Sequence, residues 1–95
     1  MEDKKPQIQV ELSDEQSEGV YANGVGINFT PSEFIIDFVR LMPGAKKAKV
    51  FSRIIMTPQN ANLLRDAIVQ NIKTYEGKFG KIKYFGKEPK EIGFK

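Results

Sequence analysis

The chain has no cysteine and no histidine among its 95 residues. Without thiols there can be no disulfide, and without thiol or imidazole the usual ligands of a structural zinc site are missing. The same two absences leave nucleophilic and general-base catalysis without their commonest groups, so an enzyme is not expected. Long apolar runs are lacking too, because the longest stretches are broken by Asp37, Arg40 and Arg53. The opening segment MEDKKPQIQVEL has no apolar run of signal-peptide length. The expectation is a cytoplasmic protein with no cofactor, no metal and no membrane association.

What is present fits a single domain over 1–95, with an ordered core at about 7–77 and a basic tail at 78–95. A domain of this size buries only about two thirds of the surface its unfolded chain exposes. Help from a second copy is therefore expected. The net charge of +3 is unevenly placed: residues 1–76 carry nine Lys and Arg against ten Asp and Glu, and residues 77–95 carry six Lys against two Glu. The basic character belongs to the tail, not to the body.

Period-two alternation marks the strands. QIQVEL sets Ile8, Val10 and Leu12 against Gln7, Gln9 and Glu11 and predicts a first strand at 7–12. The polar SDEQSEG that follows is a connection with room for a helical turn. VYANGVGINF then reads as one continuous strand over 19–29, bent at Gly24, and not as a hairpin at Asn23-Gly24, whose flanks are too short for two strands. Phe34 to Met42 and Ala48 to Met56 give the third and fourth strands. Pairing Phe29 with Phe34 puts Ile27 opposite Ile36 and Val25 opposite Phe38. A five-residue loop at PGAKK sets Asp37 opposite Arg53, Phe38 opposite Ser52 and Met42 opposite Ala48. In the TPSE turn, Pro31 presets the backbone and Ser32 supplies a side-chain hydrogen bond.

The helix signal is the clearest in the chain. Thr57 is the expected N-cap, Pro58 the first helical residue, and Gly77 lies just past the end, which predicts a helix over 58–76. Ala61, Leu64, Ala67, Ile68, Ile72 and Tyr75 recur at three and four and form one apolar stripe. The predicted fold is α+β: a four-stranded antiparallel sheet followed by one long C-terminal helix packed on one face, the Gly-poor one. No element remains for the other face. Ile35, Val39, Leu41, Phe51 and Ile55 on that bare face are the expected interface of a homo-oligomer, a dimer or tetramer. Asp37 on the same face requires a partner when buried, and Arg53 is the expected one.

SEFIIDFVRLMPG, AKVFSRIIMTP and NLLRDAIVQNIKTYEGKFGKI, in this order, resemble the bacterial and archaeal domain-of-unknown-function family 3467 (DUF3467) over about residues 7–83. The resemblance implies a short protein with this run of motifs and brings no reaction, cofactor or catalytic residue with it. In element order alone, strands and then a long helix, the chain is also similar to the export chaperone SecB.

The candidate sites follow. Asp37 with Arg53 reads as a structural ion pair and not as an acid with its electrostatic partner, since structural pairs also perturb pKa values. Arg40 beside Asn23 reads as a strand-edge hydrogen bond more readily than as an anion site. Asp14, Glu15, Glu18 and Glu33 lack the dense alternation of a calcium loop, and Gly19, Gly24 and Gly26 precede no helix that would make a phosphate loop. Lys78, Phe79, Lys81, Lys83, Tyr84 and Lys87 interleave charge with rings, the composition that holds single-stranded nucleic acid. Lys46, Lys47 and Lys49 would extend that patch, but the same tail reads more readily as a short extra strand that folds Ile82 and Phe85 onto the core and leaves its lysines solvated. The expected function is a non-enzymatic oligomeric module that binds a protein partner or unfolded chain on apolar sheet surface. The alternative is a small nucleic-acid-binding protein using the basic aromatic tail.

Overall fold

A computed structural model describes residues 7–84. Within them run a short helix α1 (Asp14–Glu18), three strands β1 (Gly24–Phe29), β2 (Phe34–Arg40) and β3 (Lys49–Met56), and the long helix α2 (Pro58–Phe79). The strands form one antiparallel sheet in the order β1-β2-β3. The class is α+β, with three strands where four were expected.

The missing strand is residues 7–12. Ile8, Val10 and Leu12 are exposed (84, 91 and 67%) and no strand pairs with them. Alternation encodes a two-faced segment but not the edge it pairs with, and in a single chain this one finds none. The second predicted strand also starts late, at Gly24 and not at residue 19. Of the residues before it, Gly19 at φ +77° caps α1, whose N-cap Ser13 accepts a hydrogen bond from the Gln16 amide in a capping box, and 20–23 form no strand, although the Asn23 backbone amide donates to the Val39 carbonyl at 3.0 Å.

The register between β1 and β2 is as expected: Phe29 faces Phe34, Ile27 faces Ile36, and Val25 faces Phe38. In their turn it is Thr30, and not Ser32, that supplies the side-chain acceptor, taking hydrogen bonds from the Ser32 and Glu33 amides at 3.2 and 3.1 Å. Between β2 and β3 the expected pairs hold from Phe34·Met56 to Asp37·Arg53 and Phe38·Ser52. Beyond them the register steps by one, so that Val39 faces Val50 and Arg40 faces Lys49. Phe51 is the extra residue of a bulge. The pairing of Met42 with Ala48 is thereby lost. At the far end, Pro43 and Gly44 turn the chain, with Gly44 at φ +79° and the Ala45 amide bonded to the Met42 carbonyl at 3.0 Å. A positive φ at the third turn position is what glycine permits.

α2 begins as read, with the Thr57 hydroxyl accepting from the Asn60 amide at 3.2 Å and Pro58 opening the first turn. It ends later than read. Gly77 is an interior residue, and the cap is Gly80 at φ +89°, whose amide donates to the Glu76 carbonyl at 2.9 Å. An interior glycine costs a helix about 1 kcal/mol. The extra turn is offset by the Tyr75–Phe79 ring contact, centroids 5.0 Å apart, and by the Glu76 carboxylate accepting from the Ile82 amide at 2.9 Å. The expected boundary between core and tail at residue 77 thus falls inside the helix.

The helix does not close over the sheet. Its first turns stand opposite the Gly-poor face, as expected, but Ile27, Phe34 and Ile36 of the sheet and Ala61, Leu64 and Ile68 of the helix line an open cleft of about 730 Å³. No residue of α2 is buried. The buried apolar side chains among the described residues are Ile36 and Val39.

Candidate functional site

The most deeply held polar group is Asp37. It sits mid-strand in β2 at 1% exposure, opposite Gly26 on one side and Arg53 on the other. Arg53 donates from Nε to Oδ1 at 2.7 Å and from Nη2 to Oδ2 at 2.9 Å, a bidentate pair in which the carboxylate is covered and the guanidinium stem reaches solvent. The Arg53 hydrogen bond holds the Asp37 carboxyl below its ordinary value of 3.8; burial opposes this shift, and the charge of Arg53 adds to it. The same contact raises the Arg53 pKa. Both carboxylate oxygens are engaged, which leaves the acid with its partner and no neighbour to act upon.

Arg40 and Asn23 do not bond to one another. The Asn23 amide brackets the backbone of Leu41, donating to its carbonyl at 3.0 Å and accepting from its amide at 2.7 Å. The Arg40 guanidinium donates to the Tyr21 carbonyl and lies 4.3 Å from the Phe51 ring centroid and 6.0 Å from that of Tyr21. Lys49 approaches the Phe51 ring as well, at 5.4 Å. These contacts tie residues 21–23 to the end of β2 and occupy Arg40 by cation–π contact and hydrogen bonding.

The five expected interface residues separate into two groups. Leu41, Phe51 and Ile55 are exposed and Ile35 is half-buried, whereas Val39 has no exposed surface in the single chain. Val39 is therefore core and cannot serve as a contact on that face. Phe51 is already engaged by Arg40. A larger apolar surface lies elsewhere. From the Phe29–Phe34 stack, centroids 5.7 Å apart, it passes through the helix–sheet cleft. It then continues along α2 as a second groove of about 570 Å³ lined by Ala67, Ile68, Ile72, Tyr75 and Ile82. The helical stripe was legible in the sequence, but as core; among the described residues no further element lies upon it.

Of the basic aromatic segment, Lys78 and Phe79 close α2, and Lys81, Lys83 and Tyr84 follow its cap. Phe79 and Tyr84 are exposed, 73 and 68%. Lys87 lies outside the described residues. Among the described residues no group of three or more acidic side chains is placed to hold a metal ion, and no helix is long and apolar enough to cross a membrane.

Residues 1–84 match the family described as protein of unknown function (DUF3467). The chain belongs to DUF3467. The match takes in the sheet and both helices, so the apolar groove and the Asp37–Arg53 pair lie within the DUF3467 domain. No curated protein and no solved structure matches this chain. The likeness in element order to SecB is without support, and the fourth strand it leaned on is not formed.

Proposed function

We propose that this DUF3467 protein is a non-enzymatic interaction module that works as a homo-oligomer and presents apolar surface to protein partners. The observation that carries the reading is the 22-residue α2 with no buried residue, beside a sheet whose buried apolar side chains are Ile36 and Val39. Exposed apolar patches larger than a few hundred Å² mark association surfaces, and most helices in proteins owe their stability to packing. A binding role is favoured over catalysis because the grooves are lined mainly by aliphatic and aromatic side chains, and the deeply buried carboxylate Asp37 is saturated by Arg53. The test is the solution mass by light scattering on a sizing column at low and high salt, with the ratio of nucleic-acid to protein absorbance recorded. A salt-stable oligomer free of nucleic acid is expected; a monomer at tens of micromolar would refute the reading.

The alternative, a nucleic-acid-binding protein, draws on Phe79 and Tyr84 standing exposed among Lys78, Lys81 and Lys83. Under that reading, removing residues 81–95 abolishes a salt-sensitive affinity for single-stranded nucleic acid, with a log–log slope that falls as lysines are removed.

A further inference from the structure

The apolar stripe of α2 has a symmetry that bears on what covers it. Ala61, Leu64, Ile68, Ile72 and Tyr75 are spaced three, four, four and three, a pattern that reads the same from either end. We infer that a second copy of this chain covers the stripe, its α2 lying antiparallel on the first about a two-fold axis at Ile68. This rests on the self-association proposed above and specifies its surface.

The side chains choose the direction. In the antiparallel pairing Ala61 meets the partner's Tyr75, Leu64 meets the partner's Ile72, and Ile68 meets its own copy. Small then opposes large at both ends, which is how packed layers interdigitate. A parallel pairing would oppose Ala61 to its copy, leaving a void, and Tyr75 to its copy, forcing two large rings into one place. The antiparallel arrangement is isologous and closed, the commonest form of a homodimer.

The open cleft completes the fit. With the axis at Ile68, the C-terminal half of each helix enters the partner's cleft between sheet and helix. There the Tyr75–Phe79 pair meets the Phe29–Phe34 stack, and the Gln59 and Asn62 amides lining the cleft are placed to receive the tyrosine hydroxyl. Area agrees as well. On this continuous surface Ile27, Phe29, Ile68, Ile72, Tyr75, Phe79 and Ile82 are exposed by 40 to 73%. At roughly 200 Å² for a full large side chain, they leave on the order of 700 Å² of apolar surface per copy. A stable dimer removes about 800 Å² from each partner.

The absence of cysteine makes single-thiol mapping direct. Ile68→Cys treated with a short bismaleimide is expected to give a covalent dimer in high yield. Leu64→Cys and Ile72→Cys should each react poorly alone and cross-link to one another when the two variants are mixed and re-equilibrated. Ile55→Cys, on the opposite sheet face, should stay uncrosslinked. Circular dichroism and solution mass of each variant before cross-linking confirm that it is folded and associated. If one cysteine position perturbs folding, Ala61→Cys mixed with Tyr75→Cys tests the same register. An oligomer in which Ile55→Cys cross-links and Ile68→Cys does not would overturn the helix pairing while leaving self-association standing. Efficient cross-linking of Leu64→Cys with itself would show parallel helices and overturn the geometry. A monomer would remove both this inference and the reading on which it rests.

Discussion

Strand β2, with five apolar residues in seven, and helix α2, with nine in 22, most of them on one stripe, end in opposite conditions. The seven residues of β2 include Ile36, Asp37 and Val39, all buried, because the strand has a neighbour on each side and each of its faces receives side chains from those neighbours. The 22 residues of α2 include none that is buried, because among the described residues the helix has contact along one side of its first turns and, beyond them, with Ile82 alone. Burial here follows the number of neighbours as well as hydrophobicity, since Asp37 of β2 is charged and buried while Ile68 of α2 is apolar and exposed. β2 is complete within one chain; under the proposed self-association, α2 is the part that gains stability from the partner.

The largest effect expected from breaking this contrast is at Ile36. Ile36→Ala should cost about 3 kcal/mol at any protein concentration, whereas Ile72→Ala should cost less than about 1 kcal/mol in dilute protein and more as concentration rises. Urea unfolding at several protein concentrations checks both, and equal, concentration-independent losses would erase the distinction. Next comes the buried acid. The Asp37 pKa is lowered on folding, so its contribution is fully present above the ordinary value of 3.8 and is lost as pH falls through the lower native value. Acid unfolding followed by circular dichroism should show that loss below pH 3.8. In Arg53→Met, which leaves the carboxylate buried without its partner, burial alone acts on Asp37 and the sign reverses: protonation should then favour the folded state, and the variant should be relatively more stable at low pH and lose stability as pH rises.

Two glycine substitutions sharpen the comparison on a smaller scale. Neither Gly44 nor Gly77 has anything within 4 Å of the place a Cβ would take, so backbone conformation alone decides the outcome. Gly44→Ala forces a left-handed residue in the β2–β3 turn and should cost about 1–2 kcal/mol. Gly77→Ala sits in ordinary helix and should stabilise by up to about 1 kcal/mol. Thermal melts of the two variants should shift in opposite directions.

Local chemistry made much of this fold legible in the sequence. The Thr57-Pro58 start of α2, the Phe29·Phe34 register and the Asp37·Arg53 pairing each follow from side chains a few residues or one hairpin apart. The failures share a different cause. Residues 7–12 alternate like a strand, yet alternation names no partner. Parity assigns Phe51 to a face, and one bulged residue cancels parity. The count of elements leaves nothing to cover Val39, yet it has no exposed surface in the single chain. The helical stripe was legible as apolar; whether an apolar stripe is covered from within the chain or from outside it depends on three-dimensional closure, which no spacing records.

The bulge at Phe51 also bears on how this chain avoids fibres. β3 is an edge strand, and a flat apolar edge is a template onto which further strands can add without limit. An extra residue coils the strand locally, and Lys49 beside it places a charge where an incoming strand would begin. Open-ended growth along the β3 edge is thereby obstructed. Under the proposed self-association, the residue that interrupts the ladder would favour a closed assembly over an open-ended one.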